Sequence, residues 1–225
     1  MKYYGMTNIG KLRQNNEDNF IAQTIWDGNH ILCAAIDGIG GNDGGKVASE
    51  IVHNTIVRHF ENFRRDDLSE CLQNAIVDAN NEVIRFQKAM AKYREMGCVM
   101  SIGIIDCARM VLRFNHIGDT RIYSLQGKRL NLLTQDASVG NIVTNYIGRR
   151  FVPYGEPLAD TSIIQLQTET KLLFCTDGLW KMIDERNLSS ILLEQVTPDK
   201  TCEHLITEAN KNGGIDNITA VVINL

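Results

Sequence analysis

Four aspartates in this sequence each stand where an apolar, strand-like run meets a turn residue. The segments are AAIDG, NHIGDTRIY, LLFCTDGLW and GGIDNITAVVINL, and their acids are Asp37, Asp119, Asp177 and Asp216. An isolated carboxylate at the end of a buried strand loses hydration without compensation, so several such ends that converge require a positive charge among them. We therefore expect these carboxylates to bind a divalent cation.

The segment LRQNNEDNF adds Arg13, Glu17 and Asp18 immediately before another strand pattern. Oxygen ligands, with glycines whose carbonyls can also reach an ion, favour Mg²⁺ or Mn²⁺ over zinc. The five histidines form no H-E-x-x-H motif, which argues further against zinc. A single Asp-Gly after a strand is usually only a turn, so the metal hypothesis depends on the repetition of this context at separate acids.

Three other motifs were weighed against this hypothesis. The segment GGNDGGK has the G-x-x-x-x-G-K spacing of a phosphate-binding loop, but Val47 follows where that loop needs a Ser or Thr hydroxyl. A dinucleotide G-x-G-x-x-G pattern fails because Asp43 replaces its third glycine. Cys107 and Arg113 have C-x₅-R spacing, but Arg113 lies within a continuous strand pattern rather than in a cradle of amides. The glycines of GGNDGGK either let the backbone pass close to an ion or only form a helix-entry loop, and the sequence leaves both interpretations open.

The elements that must position these acids are visible as hydrophobic periodicity. Helical spacing of apolar residues runs from Val47 to Phe63 and from Leu68 to Ile84, with shorter patterns near 184–194 and 199–210. Short turns containing Gly, Asn or Asp join several of the strand patterns as hairpins. This order predicts an α+β fold in which helices cover antiparallel sheets. The predicted strands are 19–26, 30–36, 98–106, 110–117, 120–125, 161–167, 171–176 and 218–224.

The composition is that of a globular chain with a sizeable core. The 225 residues are 44% apolar and 22% charged, and no linker or repeat divides them, so a single domain over 1–225 is expected. The net charge of −4 argues against binding to nucleic acid. There is no signal-like amino terminus and no apolar run of about 18 residues, which predicts a cytoplasmic protein without a membrane span. The six cysteines contain no C-x-x-C pair and are expected to be buried free thiols.

Taken together, the segments that carry Arg13, the acids and their neighbouring glycines form an ordered set that covers nearly the whole chain. The set resembles the motifs of the metal-dependent protein phosphatases of type 2C (the PPM family), in their bacterial form. The matching segments are Arg13-x-x-Asn16-Glu17-Asp18, Asp37-Gly38-Ile39-Gly40-Gly41 with Gly45 and Ala48-Ser49, Gly118 to Tyr123, Leu133-Thr134-x-Asp136-x-Ser138, Thr176 to Leu179, and Gly213-x-x-Asp216-Asn217-x-Thr219.

The resemblance implies a four-layer α-β-β-α sandwich of two antiparallel sheets flanked by helix pairs, with a two-metal site at one edge. The implied cofactors are Mn²⁺ or Mg²⁺, two ions in the core site and a third that binds more weakly. Asp37 resembles the acid that bridges both core ions, and Gly38 resembles the residue that adds a backbone carbonyl. Asp177 and Asp216 resemble the other ligands of the first ion.

The remaining implied roles lie around this core. Glu17 and Asp18 resemble the acids near the second ion, and Asp119 resembles a ligand of the third ion. Asn217 is expected to support Asp216. Arg13 resembles the guanidinium that binds the substrate phosphate, a role that suits its planar fork and permanent charge. The implied reaction is hydrolysis of a phosphomonoester by a water that two divalent ions activate, without a protein nucleophile.

Two features depart from the family pattern. Many eukaryotic members have a histidine after the Asp-Gly pair, proposed to protonate the leaving oxygen, and this chain has Ile39 there. Water or another group would then serve as the acid. The flap expected around 138–161 is short, which affects substrate selectivity more than catalysis.

The sequence therefore predicts a phosphoserine/phosphothreonine protein phosphatase that acts on phosphoproteins, opposes a Ser/Thr kinase and is a monomer. One alternative is a catalytically weak pseudophosphatase that serves as a metal-binding interaction module. A nucleotide-binding protein that uses GGNDGGK is the other alternative, and Val47 argues against it.

Overall fold

The computed structural model describes residues 1–41, 43–64, 67–139, 142–149 and 158–225. The helices are α1 (Gly44–Asn62), α2 (Leu68–Ala89), α3 (Asp177–Trp180), α4 (Glu185–Leu193) and α5 (Pro198–Lys211), with one 3₁₀ turn at Ala91–Tyr93. The strands are β1 (Lys2–Asn8), β2 (Asn19–Ile25), β3 (His30–Ile39), β4 (Gly97–Asp106), β5 (Val111–Ile117), β6 (Arg121–Gln126), β7 (Arg129–Leu132), β8 (Ser138–Val139), β9 (Ile142–Val143), β10 (Asp160–Gln165), β11 (Lys171–Cys175) and β12 (Ile218–Asn224).

Ten of these strands form two antiparallel sheets of five strands each. Their orders are β1-β12-β11-β6-β7 and β10-β5-β4-β3-β2, while β8 and β9 form a separate short pair. Helices α1 and α2 pack on the outer face of the sheet that contains β3, and α3, α4 and α5 pack on the outer face of the sheet that contains β12. The predicted four-layer α-β-β-α sandwich is thereby confirmed.

Strand β3 shows why its sequence is apolar without interruption. Ile31, Cys33 and Ala35 lie in the core between the two sheets, whereas Leu32 and Ile36 lie in the core beneath α1 and α2. Alternate side chains of a strand point to opposite faces, and both faces of β3 are covered. A strand buried on both sides therefore needs apolar residues at every position.

The layer between the sheets becomes polar at one end. Asp37 is the next residue of β3 on the inter-sheet face. Thr176 comes two residues after Phe174, and Thr219 comes two residues before Val221, both of which lie in the inter-sheet core. The same two-residue periodicity that fills the core therefore brings acids and hydroxyls together where the strands end.

Some elements differ from the sequence-based expectations. Strand β1 was not predicted, because its polar and half-exposed sequence has no clear alternation and its pairing with β12 is a contact between the chain ends. Helix α3 is a single turn, too short for a periodicity signal. Helix α1 begins at Gly44, three residues before the first apolar position of its pattern. Much of the flap predicted around 138–161 lies outside the described residues.

The cysteines and helices give two further observations. All six cysteines are free thiols, and only Cys107 is not fully buried. In the ranges that the structure describes, no helix combines the length and the apolar composition needed to cross a membrane.

Candidate metal centre

A cleft of about 510 Å³ opens at the polar end of the inter-sheet layer. All of the predicted site residues except Asp18 line it, and Lys181, which was not predicted, lines it as well. Residues from the amino-terminal loop, from β3 and from the carboxy-terminal half of the chain therefore meet in one place. The predicted residues in the lining are Arg13, Glu17, Asp37, Gly38, Asp119, Asp177, Asp216 and Asn217.

Asp18 lies buried between the sheets, where two threonine hydroxyls hold its carboxylate. Thr219 Oγ1 donates to Asp18 Oδ2 at 2.7 Å, and Thr176 Oγ1 donates to the same oxygen at 2.8 Å. Burial raises the pKa of Asp18 to about 7, although both hydrogen bonds act to lower it. A nearby cation would therefore add to the two hydroxyl donors in favouring the charged form of the Asp18 carboxylate.

Asp37 is in a similar electrostatic position. Burial raises the pKa of Asp37 well above its usual range, and the negative charges of Asp18, Asp177, Asp119 and Asp216 raise it further. Electrostatic effects weaken with distance, so these four acids, which come from separate segments, lie near the Asp37 carboxylate. The arrangement is strongly unfavourable to additional negative charge and strongly favourable to a cation.

Glu17 lies at the amino-terminal end of α1, where glycines make room for it. A Cβ atom on Gly45 would stand 2.6 Å from Glu17 Oε2, and one on Gly38 would overlap the carbonyl of Gly45. Burial raises the pKa of Glu17, and the nearby backbone N–H of Lys46 acts to lower it. Gly45 lies in the first turn of α1 and also permits the close approach of Glu17 and of the Gly38 backbone. The approach of the backbone to an ion stays a prediction.

Asn217 fixes the amino-terminal loop against the end of β12. Its Oδ1 accepts from Glu17 N at 2.8 Å, and its Nδ2 donates to Ile9 O at 2.9 Å and to Asn15 O at 3.0 Å. Its backbone N–H donates to Asp216 Oδ1 at 2.8 Å. Asn217 thus contacts Asp216 through its backbone N–H, and its side chain positions the loop that carries Glu17. Its support of Asp216 in metal binding stays a prediction.

Two side-chain cations compensate part of the negative charge. Arg13 Nη2 lies 2.8 Å from Asp216 Oδ2, and Lys181 Nζ lies 2.6 Å from Asp177 Oδ2. Partial burial acts to lower the pKa of Lys181, but the hydrogen bond to Asp177 and the nearby carboxylates raise it above its usual value. Lys181 was not among the residues predicted from the sequence. Its position four residues after Asp177 is a usable signal, because residues with that spacing lie on one face of a helix.

Asp119 is held through its backbone by an aromatic side chain. Trp180 Nε1 donates to Asp119 O at 2.9 Å, and the Arg121 guanidinium carbon lies 3.5 Å from the centroid of the Trp180 ring. Arg121 is itself bound by both oxygens of Asp136, at 3.0 and 2.8 Å. Arg121 and Asp136 belong to segments that the motifs had singled out, but their link to Asp119 through Trp180 was not predicted.

The donor set fits a hard divalent ion. In the described part of the lining the ligands are carboxylate and carbonyl oxygens, with neither histidine nor cysteine among them. As the side chains stand, no group of three or more acidic, histidine or cysteine residues in the described ranges is arranged closely enough to hold an ion. Asp216 and Asp177 are paired with Arg13 and Lys181, so an ion would share these carboxylates or displace the side-chain cations.

A family model described as protein phosphatase 2C matches residues 11–207. This range begins in the amino-terminal loop that carries Arg13 and ends within α5. This chain belongs to the protein phosphatase 2C family. The resemblance inferred from the ordered motifs is confirmed.

Named relatives and solved structures match nearly the whole chain. The serine/threonine phosphatase stp of Listeria monocytogenes is 29% identical, with 96% of this chain and 93% of that protein covered. The structure of the serine/threonine phosphatase of S. agalactiae superposes with a TM-score of 0.88 at 26% identity, with 98% of each chain covered. The catalytic domain of the phosphatase PstP, solved in complex with two manganese ions, has a TM-score of 0.86 at 23% identity, covering 98% of this chain and 96% of that one.

Proposed function

We propose that this chain is a metal-dependent phosphatase that hydrolyses phosphoserine and phosphothreonine in proteins. The observation that carries the proposal is the convergence of acids from distant segments on one cleft that also contains Arg13. Both ends of the chain contribute to this cleft, which supports a single catalytic domain over 1–225. Similarity to proteins named serine/threonine phosphatases supports the choice of substrate class.

The proposed ligands follow the carboxylates of the cleft. Asp37 would bridge two ions, with Gly38 adding its carbonyl, and Asp177 and Asp216 would complete the first site. When bound, the two ions would neutralise phosphate oxygens and activate a water for attack on phosphorus. The manganese ions in the PstP catalytic domain support Mn²⁺ as one suitable metal, and Mg²⁺ has the same preference for oxygen ligands.

Glu17 and Asp18 would act on the side of the second ion in different ways. The carboxylate of Glu17 faces the cleft beside the carbonyl of Gly38. The Asp18 carboxylate has one oxygen occupied by two hydroxyl donors, which fixes its orientation. The resemblance also implies a third, weaker ion at Asp119, and Lys181 lies beside the same carboxylates in this structure.

Arg13 is proposed to bind the substrate phosphate. Its side chain is 52% exposed at the cleft and is bound to Asp216 through one terminal nitrogen. A guanidinium offers several donors in one plane and can bind two phosphate oxygens at once. Arg13 would therefore orient the phosphoryl group, while the carboxylates hold the ions.

The decisive experiment is phosphate release from a phosphothreonine peptide by the purified protein. Hydrolysis is expected with Mn²⁺, is expected to stop with EDTA, and should return when excess Mn²⁺ is added. The matching phosphotyrosine peptide serves as the control for substrate class. Failure to release phosphate from any phosphopeptide in Mn²⁺ or Mg²⁺ would favour the pseudophosphatase alternative instead.

The setting of this activity is also a proposal. The protein would act on phosphoproteins as a monomer, in opposition to a Ser/Thr kinase, without nucleic acid or membrane as a partner. Six free thiols, most of them buried, support a reducing compartment such as the cytoplasm. Comparing the phosphoproteins of cells with and without this protein would identify its substrates.

A further inference from the structure

Lys181 brings a permanent positive charge into the acidic cleft. It follows Asp177 by four residues, and its Nζ lies 2.6 Å from Asp177 Oδ2. Asp119 and Asp216 line the same cleft and act on the ammonium group electrostatically. Lys181 is thus bound to one carboxylate of the cleft that also contains Asp119, the residue expected to bind a third metal ion.

Contacts of the neighbouring Trp180 fix the position of Lys181 relative to Asp119. The neighbouring Trp180 donates its Nε1–H to the carbonyl of Asp119 at 2.9 Å. The Lys181 ammonium lies 5.2 Å from the centroid of the Trp180 ring, and Arg121 covers that ring at 3.5 Å. The segment that carries Lys181 is therefore tied directly to the residue that carries the Asp119 carboxylate.

We propose that the Lys181 ammonium takes the place of the third metal ion, so that this phosphatase operates with two divalent ions only. The inference rests on the proposed function. A third divalent ion at Asp119 that also reached Asp177 would have to share Asp177 Oδ2 with the ammonium group or displace that group. Two cations at one carboxylate repel each other, and the tethered cation is present at a fixed local position without being drawn from solution.

The test is the number and affinity of bound Mn²⁺ ions, measured by isothermal titration calorimetry and by electron paramagnetic resonance of free Mn²⁺. The wild-type protein should bind two ions. Lys181→Gln removes the charge but keeps a polar chain of similar length, and it should gain a third Mn²⁺ site. Lys181→Arg keeps the charge and should bind as the wild type does.

Lys200→Gln is the matched control, because Lys200 is also a helical lysine paired with an acid, Glu203, at 2.7 Å, but it lies in the first turn of α5 and does not line the cleft. It should leave Mn²⁺ binding unchanged. Three ions in the wild-type protein would overturn the proposal, as would identical titrations of Lys181→Gln and the wild type. Even if Lys181→Gln does not fold, three ions in the wild-type protein overturn the proposal.

Phosphothreonine peptide hydrolysis separates this inference from the proposed function. If the wild type hydrolyses the peptide in Mn²⁺ but Lys181→Gln binds ions as the wild type does, only the role of Lys181 is wrong. If the wild type neither binds Mn²⁺ nor hydrolyses the peptide, the proposed function itself fails, and the role of Lys181 fails with it.

Discussion

The hydroxyl of Thr219 donates a 2.7 Å hydrogen bond to the carboxylate of Asp18, a residue 201 positions earlier in the chain. The bond joins the end of β12 to the loop before β2, across the layer between the two sheets. Thr176 donates to the same carboxylate oxygen. This buried contact therefore ties the loop that carries Glu17, which lines the cleft, to the inter-sheet core.

The first prediction concerns the pH dependence of stability in EDTA. Because burial raises the pKa of Asp18 to about 7, the folded state binds its proton more tightly than the unfolded chain does. This contribution to the free energy of unfolding is complete below about pH 4 and is lost as the pH rises through about 7, with a size on the order of a few kcal/mol. Urea unfolding across this range measures the loss.

Asp18→Asn should flatten this pH dependence, because the amide has no proton to lose. Glu50→Gln alters an exposed glutamate on α1 and should leave the dependence unchanged. Equal slopes for Asp18→Asn and the wild type would show that Asp18 does not titrate as stated.

The second prediction concerns Asp37 as the ligand shared by two ions. Asp37→Asn should lower turnover of a phosphothreonine peptide by several orders of magnitude, because the site loses charge that binds both metals. Mn²⁺ titration by calorimetry should show the corresponding loss of affinity, while circular dichroism should remain that of the folded protein. Turnover at the wild-type rate would show that Asp37 is not the bridging ligand.

The third prediction concerns Arg13 as the phosphate-binding group. Arg13→Ala should raise KM for a phosphopeptide by roughly 10- to 100-fold, the range for loss of a charged hydrogen bond, with a smaller effect on kcat. Mn²⁺ affinity should not fall, because Asp216 is released from its ion pair with Arg13. Arg85→Ala is the matched control, since Arg85 is an exposed arginine paired with Glu82 on α2. A fall in Mn²⁺ affinity with unchanged KM would contradict the assignment.

The fourth prediction concerns the Trp180 hydrogen bond to the backbone of Asp119. Trp180→Phe keeps a ring under Arg121 but removes the N–H donor, so it should lower stability by about 1–3 kcal/mol. Loosening Asp119 should also lower kcat/KM by about tenfold, as is typical when a group that orients a ligand is removed. Urea unfolding and peptide hydrolysis measure the two effects.

Trp26→Phe provides the comparison, because Trp26 Nε1 donates to Phe60 O at 3.1 Å on the side of the molecule that carries α1. It should lower stability by a similar amount and leave kcat/KM unchanged. If both variants lower stability and neither changes kcat/KM, Trp180 has only a structural role.

The sequence predicted the elements whose signals are local. Periodicity identified α1 and α2 because each must bury one face against a sheet, and the unbroken apolar run of β3 reflects burial on both faces. The acids were found because each stands at a strand end, and their ordered motifs pointed to the family. Strand β1 escaped detection because its stability comes from pairing with β12 rather than from its own composition.

By itself, then, the sequence determined the sandwich, the family and the set of acids, because side-chain periodicity and motif spacing are properties of the chain read in order. Only the tertiary structure decided which groups compensate those acids: Arg13 pairs with Asp216, 203 residues away, and Lys181 pairs with Asp177. Such pairings depend on distances between segments that only folding brings together, and the charge in the cleft is the sum of all of them.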